Sequence, residues 1–360
     1  MSYAVYRLPY ASDATMIQQV EGEPEELLSC TALNGRQGFV IAPFEVTPDA
    51  PILLIPAEKA HCTSLSFLAD SGGNSSISSN PSIPSIPSIP SIPSISRKDY
   101  SLDFANFHSQ LEQGTFRKIV LARCAEEETS LPLDPMLLFH HACELYPRMF
   151  ISLVNTPKSG IWLTATPEIL LDGHDDEWRT IALAGTMRLE GEQLLGEGES
   201  ARWSAKNIQE QRYVATYIAE CLEQFTTDFR EEGPSTVRAA NLVHLRSDFT
   251  FTLPCRNRIG HLLHALHPTP AVCGLPKRDA FSFIIRNEHT PRLYYSGFMG
   301  WLGEAETHLY VSLRCMHIEG RHYHLYAGGG LLRDSTEEQE WQETEAKLET
   351  MRKCIAITNI

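Results

Sequence analysis

A chain of 360 residues, 42% hydrophobic and 21% charged, has an ordinary globular composition and can bury a large core as one α/β-type unit or two smaller domains. Its formal net charge of -15 at pH 7 argues against a nucleic-acid or anionic-membrane partner, though a local cluster of Lys and Arg can still receive a small anion. Nine scattered cysteines without a CxxC pair predict reduced thiols and no zinc site, and no window reaches the roughly 18 apolar residues of a membrane helix, so a soluble cytoplasmic protein is expected.

In chain order, residues 1–70 precede a stretch, 71–98, that contains the triplet Pro-Ser-Ile repeated five times from Pro81 to Ile95. Proline at every third position forbids a helix or a central strand, so an extended or disordered insert is expected there, with the main body at 99–360. SLDFANFHSQLEQG reads as a helix with Phe104, Phe107 and Leu111 on one face and Gly114 as its stop. FRKIVLARC then reads as a strand that puts Lys118, Val120, Ala122 and Cys124 on one face. Lys118 either snorkels to water or sits partly desolvated, where an amine can serve as a general base.

Asp134-Pro135 opens a helix that Pro147 ends. MFISLVN, GIWLTA, EILLDG and TIALAG follow as short strands, and a long helix covers 203–226. Further strands are expected at 249–253, 293–301, 308–318 and 321–327, then a last helix at 336–353 with a capping box in Ser335 and Glu338. Strands in groups with helices between them predict an α+β fold on antiparallel sheets.

Within these elements, Glu210 lies in line with the apolar stripe of the long helix, either at its edge near water or bound to a cation. On the last helix, Glu343 and Lys347 lie opposite Trp341, Leu348 and Met351, and periodicity alone makes them a solvated i,i+4 pair. Arg314, inside the expected strand LYVSLRCMHI, either clamps a carboxylate or pairs with a neighbouring acid, and Glu168 is similarly open. His140 with His141, and His322 with His324, lack a third ligand in the sequence and read as surface or structural. The glycine run 328–330 lets a backbone approach an anion.

Nine blocks in order, FRKIVLAR, TPEILL, ALAGTMR, KNIQEQR, LVHL, LHPTPAVCGLP, RLYYSGFMGWLG, LYVSLRC and AGGGLLRDSTEEQEWQETEAK, resemble the chorismate-utilising enzymes, which include isochorismate, salicylate, anthranilate and aminodeoxychorismate synthases. The resemblance implies an α/β sandwich of large, mostly antiparallel sheets flanked by helices, acting as a monomer on chorismate with Mg²⁺. It implies Glu210 and Glu343 as metal ligands, against the solvated reading of Glu343. Gly185, Thr186, His244, Thr269, Ala271, Tyr295, Arg314, Gly328, Gly329, Gly330 and Lys347 would line or close the substrate pocket.

Members that add water resemble this chain in having a lysine at Lys118. Water needs a base, so Lys118 would deprotonate water attacking ring carbon 2 while Glu168 protonates the hydroxyl leaving carbon 4, giving isochorismate for menaquinone or a siderophore. Both roles demand a neutral Lys118 and a protonated Glu168. Lys118, and the absence of a glutaminase nucleophile motif, argue against an amidotransferase-partnered member. Salicylate synthase is the rival: Ala271 departs from its usual threonine, while Tyr295 fits it. A silent chorismate-binding protein would lack one of the chemical residues. The departures, Gly329 in AGGG for the usual AGAG and Gln211 where histidine is common, are peripheral.

Overall fold

A computed structural model describes residues 1–64, 94–188, 202–239, 242–253 and 255–356. The Pro-Ser-Ile repeat lies outside the described residues apart from Ser94 and Ile95. The chain is already helical at Arg97, earlier than the expected end of the insert at residue 98, because the Ser96 side chain accepts from the Asp99 N–H and caps helix α1, Arg97–Glu112.

The described residues form two nine-stranded sheets. The first runs, in spatial order, Gly274–Leu275, Lys118–Glu128, His322–Leu331, Cys315–Glu319, Gly160–Thr166, Phe150–Thr156, Ser2–Arg7, Asp13–Gln19 and Lys59–Ser64. The second runs Phe229–Ala239, Leu242–Thr252, Glu177–Arg188, Ile169–His174, Glu306–Val311, Phe298–Leu302, Gly38–Ala42, Ile52–Ile55 and Glu25–Leu27. Their strand pairs are antiparallel.

The sheets pack face to face, and strand Gly38–Ala42 shows how. Phe39 and Ile41 enter the core between the sheets, while Val40 and Ala42 enter the core beneath the helices. Across the inter-sheet core, Phe150 stacks on Tyr310 with ring centroids 4.3 Å apart, an arrangement worth about 0.5–1.5 kcal/mol beyond area burial. Helices α2 (Pro135–Leu145) and α6 (Glu337–Ala356) cover the outer face of the first sheet. Helices α3 (Ala205–Leu222) and α4 (Ile259–Leu266) cover the second, and α5 (Lys277–Asn287) packs with α1 against strand Lys118–Glu128. This is the α+β sandwich expected, and no described helix is long and apolar enough to cross a membrane.

Several boundaries depart from the sequence reading. The single strand expected at 308–318 is two strands in different sheets, and Arg314 lies in the crossing with φ 47 rather than inside a strand. The run expected at 293–301 keeps only Phe298–Leu302, since Leu293 (φ 49) and Ser296 (φ 61) turn the chain before it. Strand Phe229–Ala239 escapes the apolar-run criterion because it is a largely exposed, polar edge strand. The Ser335–Glu338 capping box does not form: the Ser335 hydroxyl accepts from the Leu332 N–H, and Glu338 pairs with Arg97.

Candidate active site

Lys118 opens its strand with a fully buried side chain, so the snorkelling reading fails. Its Nζ lies 3.0 Å from Glu210 Oε1, without hydrogen-bond geometry. The neighbouring strand makes room for both. A Cβ on Gly330 would stand 2.1 Å from Glu210 Oε1 and 2.9 Å from Lys118 Cε, and one on Gly328 would stand 2.7 Å from the Tyr295 hydroxyl. A Cβ on Gly329 would stand 2.8 Å from Glu340 Oε2 instead. The glycine run therefore serves as a gap for side chains within a ladder.

Arg314 reaches the opposite side of the cleft. Its Nη2 lies 2.6 Å from His244 Nε2, and because a guanidinium only donates, Nε2 accepts. The His244 proton therefore sits on Nδ1, which faces the Gly185 carbonyl at 3.2 Å. Burial, with the Arg314 and Lys347 charges, holds this imidazole neutral, well below 6.5. A neutral histidine thus aims a buried arginine whose Nη1 is left without a partner. Gly185 adopts φ +74 at a register shift, and a side chain there would press on Asn207 of α3.

Glu168 is buried between strands Gly160–Thr166 and Ile169–His174. Burial pushes its carboxyl up to about 7, against the opposing charges of Lys118, Arg314 and Lys347, with Thr269 placed beside it. Lys347 donates to the Gly328 carbonyl at 2.7 Å and pairs with Glu343 at 2.7 Å, so the expected pair exists but faces the glycine strand. Helix α6 packs core residues on one side and the site on the other, so Glu343 is half-buried, with 26% of its side chain exposed, rather than on a solvated face. Burial works against the Glu343 charge, but Lys347, Lys206 and the Thr186 hydroxyl hold the carboxyl below its usual range.

Sequence reasoning missed Lys206 and Glu340. Glu340 is 1% exposed, meets Lys206 Nζ at 2.5 Å and leaves Oε2 without a partner. Burial and the neighbouring Glu343 raise its carboxyl. The i,i+3 spacing of Glu340 and Glu343 was the available signal. Lys206 sits in the field of Glu340, Glu343 and Glu210 together. Oxygen-only donors gathered around one cation, with a buried orphan oxygen, fit a hard divalent ion such as Mg²⁺.

One narrow cleft, with about 60 Å³ of water-accessible space, collects most of the expected residues. Glu168, Gly185, Thr186, Glu210, His244 and Ala271 line it, and so do Tyr295, Arg314, Gly328, Gly330 and Lys347. Lys118, Thr269, Gly329 and Glu343 are not part of that lining. Apolar walls come from Val120, Leu183 and Tyr326, none of which sequence reasoning singled out. A wider groove of about 650 Å³ on the second sheet holds Asp172, Arg179 and His308, which already satisfy one another.

The family model described as chorismate binding enzyme matches residues 64–356. This chain belongs to the chorismate-binding enzyme family. As a family member it is 32% identical to the isochorismate synthase MenF of Escherichia coli K12 over 67% of this chain and 56% of that protein. It is 30% identical to the isochorismate synthase DhbC of Bacillus subtilis 168 over 73% of this chain and 69% of that protein. The chain thus spans little more than half the length of the first of these relatives. The solved structure of MenF, the menaquinone-specific isochorismate synthase of Escherichia coli, shares the fold with TM-score 0.77 at 24% identity, covering 98% of this chain and 88% of that one. That of DhbC from Bacillus anthracis gives TM-score 0.80 at 22% identity, covering 99% and 96%.

Proposed function

We propose that this chain is an isochorismate synthase, converting chorismate to isochorismate. The observation that carries the reading is one cleft lined by a carboxyl pushed up to about 7 and by Arg314 and Lys347, with the buried Lys118 3.0 Å from the Glu210 carboxylate of that lining. Arg314 and Lys347 bind the two substrate carboxylates and fix the ring. Lys118 takes a proton from the water that attacks ring carbon 2. Glu168, protonated at neutral pH, gives its proton to the hydroxyl on carbon 4, which leaves as water. His244 holds Arg314 in line. Glu210 and Glu343, with Glu340 beside them, would hold Mg²⁺, which supplies positive charge against the ring carboxylate.

Water as nucleophile needs no glutaminase subunit, and the active unit in this reading is a monomer. Menaquinone is the favoured destination of the product, supported by the similarity to MenF. Salicylate formation would require a further pyruvate elimination, and Tyr295, stacked on Tyr326, is the feature that favours it. Purified protein incubated with chorismate and Mg²⁺ and analysed by chromatography decides. Isochorismate alone supports the proposal, salicylate with pyruvate replaces it with the rival, and no turnover leaves a binding protein.

A further inference from the structure

A second cluster of ligand-type side chains lies in the first sheet, away from the cleft. Glu126, His324, His317 and Trp162 are consecutive partners in register across four neighbouring strands. His317 and His324 stack with ring centroids 6.0 Å apart, and Glu319 lies two residues along from His317 on the same face. One donor atom from each of His317, His324 and Glu319 falls within 4.8 Å of the others. Sequence reading left His324 without a third ligand, because two of the three come from the preceding strand.

The histidines are not accounted for by packing. His317 is 2% exposed and neither ring nitrogen has a partner, and Nδ1 of His324, 5% exposed, has none either. An apolar pair of the same shape would bury no orphan donors or acceptors. Burial keeps both rings toward the neutral form, which has a lone pair to offer. Glu319 is 59% exposed, so its carboxylate is free to close the cluster to the roughly 3.3 Å donor spacing of tetrahedral ligands at about 2.0–2.1 Å. Glu126, the register partner of His324, is already engaged by His322 Nδ1 at 2.8 Å.

We propose that His317, His324 and Glu319 bind one borderline divalent transition-metal ion of the Zn²⁺ class. Two imidazoles and one carboxylate suit Zn²⁺ and its neighbours and not Mg²⁺, which separates this site from the all-oxygen carboxylates of the cleft. The ion would clamp the hairpin formed by Cys315–Glu319 and His322–Leu331, whose second strand carries the glycine run. Gly328 follows His324 by four residues, roughly 13 Å along the strand at about 3.3 Å per residue, so the ion stands apart from the reacting groups.

The test is a calorimetric Zn²⁺ titration of chelator-treated protein in excess Mg²⁺, with a parallel Co²⁺ titration followed by visible absorption. Wild type should bind one ion that His324→Ala weakens by about a hundredfold and Glu319→Ala by about tenfold, with circular dichroism unchanged. Glu319→Ala, at an exposed position, keeps the test valid if the histidine variant fails to fold, and its chorismate turnover should match wild type. Isotherms that are the same in wild type and Glu319→Ala would overturn the site, as would the absence of any stoichiometric Zn²⁺ binding.

Discussion

Lys118 Nζ stands 3.0 Å from Glu210 Oε1 inside the protein, joining the first strand after α1 to the second turn of α3. The pair brings the proposed base and a proposed metal ligand into one contact. Lys118→Met, similar in length and without the amine, should lower kcat for isochorismate formation by about 10²–10⁴ while the far-ultraviolet dichroism is preserved. Turnover within tenfold of wild type would remove Lys118 from the chemistry.

Glu168 carries the pH dependence. Its acid form is the useful one, so turnover should fall as pH rises through about 7, and Glu168→Gln should lose that alkaline limb along with about 10²–10⁴ of the rate. Stability moves the same way. A folded-state value raised above the ordinary 4.5 means the native state binds more protons between 4.5 and about 7, so wild type loses stability as pH rises through that window. Glu168→Gln should therefore gain Tm relative to wild type at pH 8 but not at pH 4, measured by thermal denaturation.

Gly330 is a steric prediction. Its missing Cβ leaves the 2.1 Å gap that Glu210 Oε1 occupies, so Gly330→Ala must push apart Lys118 and Glu210. Overpacking of this kind costs about 1–3 kcal/mol, which a domain of this size survives. Loss of most turnover in a folded variant, read by product chromatography and dichroism, is the expected result.

Arg314→Lys tests recognition. Lysine keeps the charge but loses the fork held by His244, so KM for chorismate should rise about ten- to a hundredfold with a smaller change in kcat. An unchanged KM would mean that Arg314 meets no substrate carboxylate.

Lys206 is the internal cation among Glu340, Glu343 and Glu210. Lys206→Met leaves those carboxylates uncompensated, so its Tm should be lower than wild type in chelator and recover more strongly with added Mg²⁺. Equal Mg²⁺ responses in the two proteins would separate Lys206 from the metal-binding carboxylates.

The amino-acid sequence by itself determined the fold class, since apolar strand runs, Asp134-Pro135 and the stripe of α3 are local signals that the chain obeys. Nine ordered blocks likewise pointed to the family. Tertiary structure decided what local pattern could not carry. Periodicity assigned Glu343 and Lys347 to water because it sees one helix and not the glycine strand packed against it. Arg314 read as a strand residue because strand propensity says nothing of a crossing between sheets. Glu340 with Lys206, and His317 with His324, met only when separate elements came together. Burial and contact between distant segments set charge and orientation, and those are properties of the packed chain.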